Sequence, residues 1–463
     1  MMKMLSLFKQ PGDFYRNVFA LMVPMVLQNL ITQTVSLADA FMVGTLGEQY
    51  LAAMPIALAP LFIVLIFAFG VQSGTSILVA QYWGKKNLTV INRVMGVGLY
   101  VVVAVTLTCA LIMYFFPTYI LGLFTPETHL VDIAAPYSRI TAFSMVLSSI
   151  SLLYFACHRS IENPRLGMIV LAVSSCFSVF WNWVLIFGNL GFPALGIQGA
   201  AISTLSARSL EVAIVLVHAF TNSRLRIKLR LLLMPGIQIF KDFMKNSLPV
   251  LLNEALWGVG AMMFPLIFGH MAGAQEILAA FAISSNLERL FAVSMFACGG
   301  ATAVIIGREI GAGRPEQAKS YIRTLAPLGL LFGIVSAGLL LLFRFTLLEP
   351  VVLPLYDQLS AQAGSAVAVM LTVYAITLPL RAMGVTLGIG ALRGGGDVRR
   401  FMIIDVGTLY LVALPIAATA GLILDLGIVF VYSALIVEDI VKTTILFLRV
   451  RSGKWVHNVT REM

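Results

Sequence analysis

Residues 324–343 read TLAPLGLLFGIVSAGLLLLF, without one ionisable side chain. A helix of about twenty residues rises ~30 Å, the thickness of a bilayer's hydrocarbon core. The run is continuous. An outer-membrane β-strand would alternate apolar and polar residues over roughly ten positions. In lipid only helices and closed barrels satisfy their backbone polar groups, so this stretch predicts a transmembrane helix. Outward in both directions the pattern recurs, giving twelve spans near 17–39, 51–80, 94–116, 133–156, 167–187, 198–220, 247–270, 278–306, 324–343, 363–390, 402–421 and 427–448. Of the 463 residues, 59% are hydrophobic and 11% charged. A soluble domain carries about 25% charged residues, so the composition excludes a soluble enzyme or a disordered chain. The predicted class is an all-α integral membrane protein.

The basic residues orient the spans. Among 31 Lys and Arg, all but Arg139, Arg208, Arg289, Arg344 and Arg381 fall on one side when the N-terminus is placed in the cytoplasm. This positive-inside bias puts both termini inside a multi-pass plasma membrane, a bacterial inner membrane being the expected setting. It accounts for the net charge of +10 without a nucleic-acid partner. The lipid bilayer is the partner, and no obligatory protein partner is expected. The N-terminal stretch MMKMLSLFKQPGDFYRN is too polar after Lys9 for a signal peptide and reads as interfacial. Cys109, Cys157, Cys176 and Cys298 have no metal-like or redox spacing and read as packing residues.

The chain repeats itself. Pro24 opens PMVLQN and Pro249 opens PVLLNE; Leu51-Ala52-Ala53 matches Leu278-Ala279-Ala280. Thr75 and Gly84 match Thr302 and Gly311, Arg159 and Arg165 match Arg393 and Arg399, and Leu195-Gly196-Ile197 matches Leu426-Gly427-Ile428. The matches run in order with a slowly drifting offset. The basic connection 221–246 divides the spans six and six, predicting pseudo-symmetric lobes at 1–235 and 236–463. Six spans per repeat keep both halves in the same orientation, an arrangement common in secondary transporters.

No nucleotide loop G-x-x-x-x-G-K-[ST], metalloprotease H-E-x-x-H, nucleophile elbow G-x-S-x-G or dinucleotide fingerprint is present. No cofactor and no enzymatic activity are expected. Gly394-Gly395-Gly396 reads as a tight turn rather than a phosphate cradle. The informative residues are ionisable groups inside spans, which are costly in lipid and therefore functional candidates. Asp39, near the outer end of span one, can bind a proton or small cation. Glu254 lies within span seven, and Glu288 and Arg289 are adjacent in span eight. Arg208 and Glu211 share a helix face at i,i+3 and read as a structural pair, while Arg381 has no evident partner. Asp405 is expected to bridge to Arg399-Arg400. Glu438 and Asp439, with Lys442, read as an anchor at the cytoplasmic end. Gln33, Ser178, Asn253, Trp257, Asn286, Arg289 and Tyr374 are candidates for lining a substrate cavity.

Several ordered motifs carry a family resemblance: ADAFMVGTLG (38–47), AQYWGKKN (80–87), NWVLIFG (182–188), LGIQGAAIST (195–204), PVLLNEALW (249–257), IGREIGAGRPEQA (306–318) and LRGGGDVRRF (392–401). With them the chain resembles the multidrug and toxic compound extrusion (MATE) transporters over essentially its whole length. The resemblance implies twelve helices in two six-helix lobes, and a cavity facing either side alternately. It also implies export of bulky, often cationic amphiphiles driven by influx of H+ or Na+. Asp39 matches the family's acidic residue of the N-lobe ion or proton site. Glu254 matches a span-seven acid used by part of the family, and Thr204 its span-six hydroxyl. The chain departs where many N-lobe sites have Asp in span five: it has Asn182, with Ser178 where an Asn precedes by four residues. One anionic ligand fewer favours a weaker Na+ site or a proton carried by Asp39 alone. In span ten Arg381 stands where some members carry an acid. The alternative reading is a flippase for lipid-linked saccharides of related fold, in which Arg208, Arg289 and Arg381 would grip a pyrophosphate.

Overall fold

The computed structural model describes residues 10–221, 225–355 and 360–461, all helical apart from turns and one isolated bridge. The long helices are α1 (Gly12–Gly44), α2 (Glu48–Gly84), α3 (Leu88–Phe115), α4 (Thr128–Ser160), α5 (Arg165–Phe187), α6 (Ile197–Thr221) and α7 (Ile237–Phe268). They continue as α8 (Ala274–Phe291), α9 (Val293–Gly311), α10 (Pro315–Phe343), α11 (Ala361–Val385), α12 (Val398–Thr408) and α13 (Ile428–Arg451). Helices α10, α11 and α12 run on through wider π-helical turns, to Val352, Arg393 and Ile423 respectively.

Eleven helices among the described residues are long and apolar enough to cross a membrane. The twelfth expected span is α13, a 24-residue helix whose Glu438, Asp439 and Lys442 lower its apolar character. Expected span eight is two helices, α8 and α9, meeting at Ala292, whose N–H still bonds Glu288 O at 2.9 Å. Asn87, which heads a glycosylation-like triplet, caps α3 by accepting from Val90 N at 3.1 Å. Ser360 caps α11 in the same way.

Packing divides the chain into two compact units, Leu27–Leu251 and Met1–Val26 with Leu252–Met463. These are not cut at the connection between repeats. The first turns of α1 belong with the second unit, where Phe14 lies 4.6 Å from Tyr321 between ring centroids. The first turns of α7 belong with the other, where Ser247 fills the notch left by Gly74. Where helices touch, small residues let their backbones approach, as membrane helix packing requires. A Cβ on Gly199 would lie 2.5 Å from Leu185 O, and one on Gly333 2.6 Å from Leu378 O. In the 27–251 unit residues 226–228 of the basic connection are clasped by α3. Asn92 on α3 accepts from Lys228 N at 3.1 Å and donates to Arg226 O at 3.3 Å.

After α13 the chain turns back. Trp455 is fully buried beside Gly395 and donates its indole N–H to Val450 O at 3.0 Å. His457 N bonds Gly395 O at 2.7 Å, and Asp397 accepts from Arg449 at 2.8 Å. The triple glycine is thus a tight turn, shaped so that an indole can cover it. Only glycine fits there: a Cβ at 395 would meet the Trp455 ring at 2.5 Å, and Gly396 has φ +86°. Trp455→Ala is expected to cost about 3–5 kcal/mol of stability, measured as a lower melting temperature of the detergent-purified protein.

Candidate functional site

In the 27–251 unit a polar stripe runs down α5. Ser174, Ser178 and Asn182 recur every four residues, so they share one face of the helix, and all three are buried. At its C-terminal member, Asn182 Nδ2 donates to Asp39 Oδ1 of α1 at 2.6 Å. Asn182 is fully buried, and its own Oδ1 has no hydrogen-bond partner among the described residues. One step along, Ser203 of α6 donates to Ser178 O at 2.8 Å. At the far end Ser174 donates to Glu211 Oε1 at 2.6 Å, and Arg208 pairs with the same carboxylate. The pair Arg208–Glu211 is the structural bridge that its spacing predicts. Arg208 and Tyr137 also lie close enough to interact electrostatically with Asp39.

Of the residues expected to couple transport in this half, the structure joins Asp39 and Asn182. Thr204 is half-buried and bonds its own helix, Oγ1 to Ala200 O at 3.0 Å. Gln33 is half-buried on α1, six residues before Asp39. Ser174 and Tyr137 escaped the reading of the sequence. Four-residue periodicity was the available signal for Ser174. Tyr137 had none, because only tertiary packing brings α4 toward Asp39.

In the 252–461 unit the ionisable side chains pair across helices. Glu254 Oε1 of α7 is 2.6 Å from Arg393 Nη2, whose guanidinium lies 4.7 Å over the Phe401 ring. Neighbouring Asn253 donates to Asp405 Oδ2 at 3.0 Å. Asp405 was expected to pair with Arg399-Arg400. Instead its Oδ1 is 3.0 Å from Lys442 Nζ, while both arginines are exposed. Helix direction explains the correction: Arg399 and Arg400 leave α12 toward solvent, whereas Asp405 faces α13. Glu438 keeps its helical partner, with Lys442 Nζ at 2.5 Å. Asp439 is no peripheral anchor; it is buried and accepts from Arg381 Nε at 3.0 Å. Glu288 bonds Tyr432 Oη at 2.5 Å rather than its neighbour Arg289, since consecutive helical residues point in different directions.

The expected cavity residues separate by burial. Ser178, Asn253 and Tyr374 are buried within packed units, Tyr374 with the Arg381 guanidinium 5.1 Å over its ring. Trp257, Asn286 and Arg289 are exposed. Among the described residues no group of three or more His, Cys, Asp or Glu is placed to hold a metal ion.

Comparisons with known proteins agree with this architecture. The chain matches the MatE family model in two segments, 24–184 and 249–419, one in each half. It is 22% identical over 468 residues to a probable multidrug resistance protein NorM of Thermotoga maritima, covering 97% of this chain and 96% of the relative. It is 25% identical to the protein of the same name from Mesorhizobium japonicum, covering 87% and 86%. Among solved structures it resembles the Vibrio cholerae MATE transporter VcmN, with TM-score 0.84 at 20% identity over 97% and 98% of the two chains. It also resembles a MOP superfamily transporter from Pyrococcus furiosus, for which a binding pocket of reversed polarity is described. That TM-score is 0.86 at 18% identity over 95% and 96%. With the family model matched in both halves of an all-helical, membrane-spanning chain, the protein belongs to the MatE family of membrane transporters.

Proposed function

We propose that this transporter is a secondary active antiporter, exporting amphiphilic, cationic drugs or metabolites from the cell by alternating access, against an inward flow of H+ through Asp39. The setting is a bacterial inner membrane with both termini cytoplasmic. The two repeats, 1–235 and 236–463, form its lobes. The names of the relatives support the substrate class, since several are called multidrug resistance proteins.

The pair formed by half-buried Asp39 and fully buried Asn182 carries the reading. The amide N–H of Asn182 donates to Asp39 Oδ1, a bond that ionised Asp39 accepts. Protonated, it becomes a donor, and rotation of the amide presents the partnerless Oδ1 to receive that proton. One residue pair therefore satisfies both charge states, with different hydrogen bonds in each. A hard metal cation gathers about six or more oxygen ligands, and the chain offers one carboxylate and one carboxamide here, which favours a proton over Na+. A ligand shifts a conformational equilibrium only by its differential affinity for the two states. A proton that reorganises the contact between α1 and α5 can supply such a difference. The coupling role of Glu254 belongs to the same proposal, on condition that its partner Arg393 releases it during the cycle.

The lipid-saccharide flippase is the weaker reading. Arg208 and Arg381, two of the three guanidiniums that would hold a pyrophosphate, are neutralised by Glu211 and Asp439.

The test is transport in proteoliposomes loaded with a fluorescent organic cation, with pH and Na+ gradients imposed separately. Efflux is expected to follow the pH gradient. Efflux driven only by Na+ would replace the proton with sodium, and no gradient-driven efflux of any cation would overturn the antiport reading.

A further inference from the structure

In the 252–461 unit Glu254 pairs with Arg393 and Asp439 with Arg381, while the buried Glu309 is held by two guanidiniums, those of Arg308 and Arg314. Lys442 instead serves two carboxylates, Glu438 at 2.5 Å and Asp405 at 3.0 Å, on two different helices. All three side chains are at most 15% exposed. The other oxygen of Asp405 is held by Asn253 Nδ2. Asn253 is 2% exposed, and its Oδ1 is left without a partner among the described residues. The Lys442 ammonium thus sits between carboxylate oxygens of α12 and α13, with an unsatisfied carbonyl oxygen on the side chain next to Asp405. These are the surroundings of a small hard cation. Glu254 and Arg393 face the cluster from α7 and the turn after α11, and Asp439 from its own helix.

We propose that this is a monovalent-cation site whose occupant is built into the chain: the Lys442 ammonium stands where a Na+ ion would otherwise bind. Two carboxylates and one ammonium carry the same net charge as two carboxylates and one Na+. The ammonium is compact and hydrogen-bonds in three directions, as a point charge among oxygens must. Tethering it makes the occupancy permanent. The lobe then needs no sodium to neutralise these acids, and its conformational equilibrium is independent of sodium. Removing the tether leaves two close, buried carboxylates that cannot both stay ionised without a counter-charge.

The test removes the tether in a protein lacking Asp39 and reads sodium binding rather than export, so that a failure of proton coupling at Asp39 does not decide it. Asp39→Asn/Lys442→Met is compared with Asp39→Asn alone, in detergent, at equal ionic strength in NaCl and in choline chloride. The parent is expected to show no saturable radiosodium binding and the same melting temperature in both salts. The Lys442→Met protein is expected to gain saturable sodium binding and a higher melting temperature in NaCl, and adding Asp405→Asn should remove both gains. A protein that folds only in NaCl supports the proposal equally. Should Lys442→Met fail to fold in either salt, Glu438→Gln/Lys442→Met keeps the original net charge and is tested in the same way. Absence of sodium binding in a folded Lys442→Met or Glu438→Gln/Lys442→Met protein overturns the proposal. Sodium binding in the parent that is lost on Asp405→Asn overturns it as well.

Discussion

Asp39→Asn is expected to abolish gradient-driven efflux while leaving the protein folded and still able to bind substrate. The substitution is nearly isosteric, and Asn182 can still donate its amide N–H to the new side-chain oxygen, so the contact between α1 and α5 survives. What disappears is the second charge state. With no proton to take up at residue 39, this site gives the two conformations no difference that a pH gradient can act on. Moving a two-state equilibrium from 1:99 to 99:1 requires about 5.5 kcal/mol of differential binding, and a group that does not titrate supplies none of it. The measurements are efflux from proteoliposomes, expected to fall to the rate of empty liposomes, and equilibrium binding of a fluorescent substrate, expected to change less than ~10-fold, or about 1.4 kcal/mol. An Asp39→Asn protein with a normal gradient-dependent rate would end the proposed role of this residue. Asn182→Leu probes the other half of the pair. It keeps the carboxyl but removes both the donor to the ionised form and the acceptor for the protonated form, so coupling should weaken without vanishing.

Arg393→Met is expected to be strongly destabilising. Arg393 is 3% exposed and holds Glu254 at 2.6 Å. Removing one partner of a buried ion pair leaves an uncompensated charge and costs about 3–5 kcal/mol. Replacing both partners costs much less, because the surviving carboxylate is the source of the penalty. The double substitution Glu254→Gln/Arg393→Met is therefore expected to melt close to the wild type, and the cycle of four proteins measures the coupling energy directly. The same proteins test Glu254 in transport. If Glu254 carries a coupled ion in another conformation, the double variant will be stable but slow. If the pair only holds α7 against the turn after α11, the double variant will be stable and active.

The sequence determined the solvent. Uncharged runs of twenty residues and few charged side chains specify helices in a bilayer, and the repeated motifs fall in the two segments that the family model matches. These signals are legible because helical periodicity, apolar length and topological charge bias are local or additive along the chain. Asp39, Asn182 and the bridge of Arg208 with Glu211 were legible for the same reason: each lies within a motif or a single helix face. Tertiary structure alone decided which charges meet. Lys442 has Glu438 one turn away, but that Asp405 joins them depends on the rotation of α12 against α13. Arg393 read as a loop residue, yet π-helical turns carry α11 as far as it, and its guanidinium reaches Glu254. Asp439 read as an anchor and is held inside by Arg381. Trp455 lies beyond the last span and is fully buried only because three glycines far away in sequence form a turn that an indole can cover. In each case the partner lies 37 or more residues away in sequence, and for the charged groups low dielectric makes an unpaired buried charge so costly that the fold must supply a partner. Sequence spacing could not reveal which partner that would be.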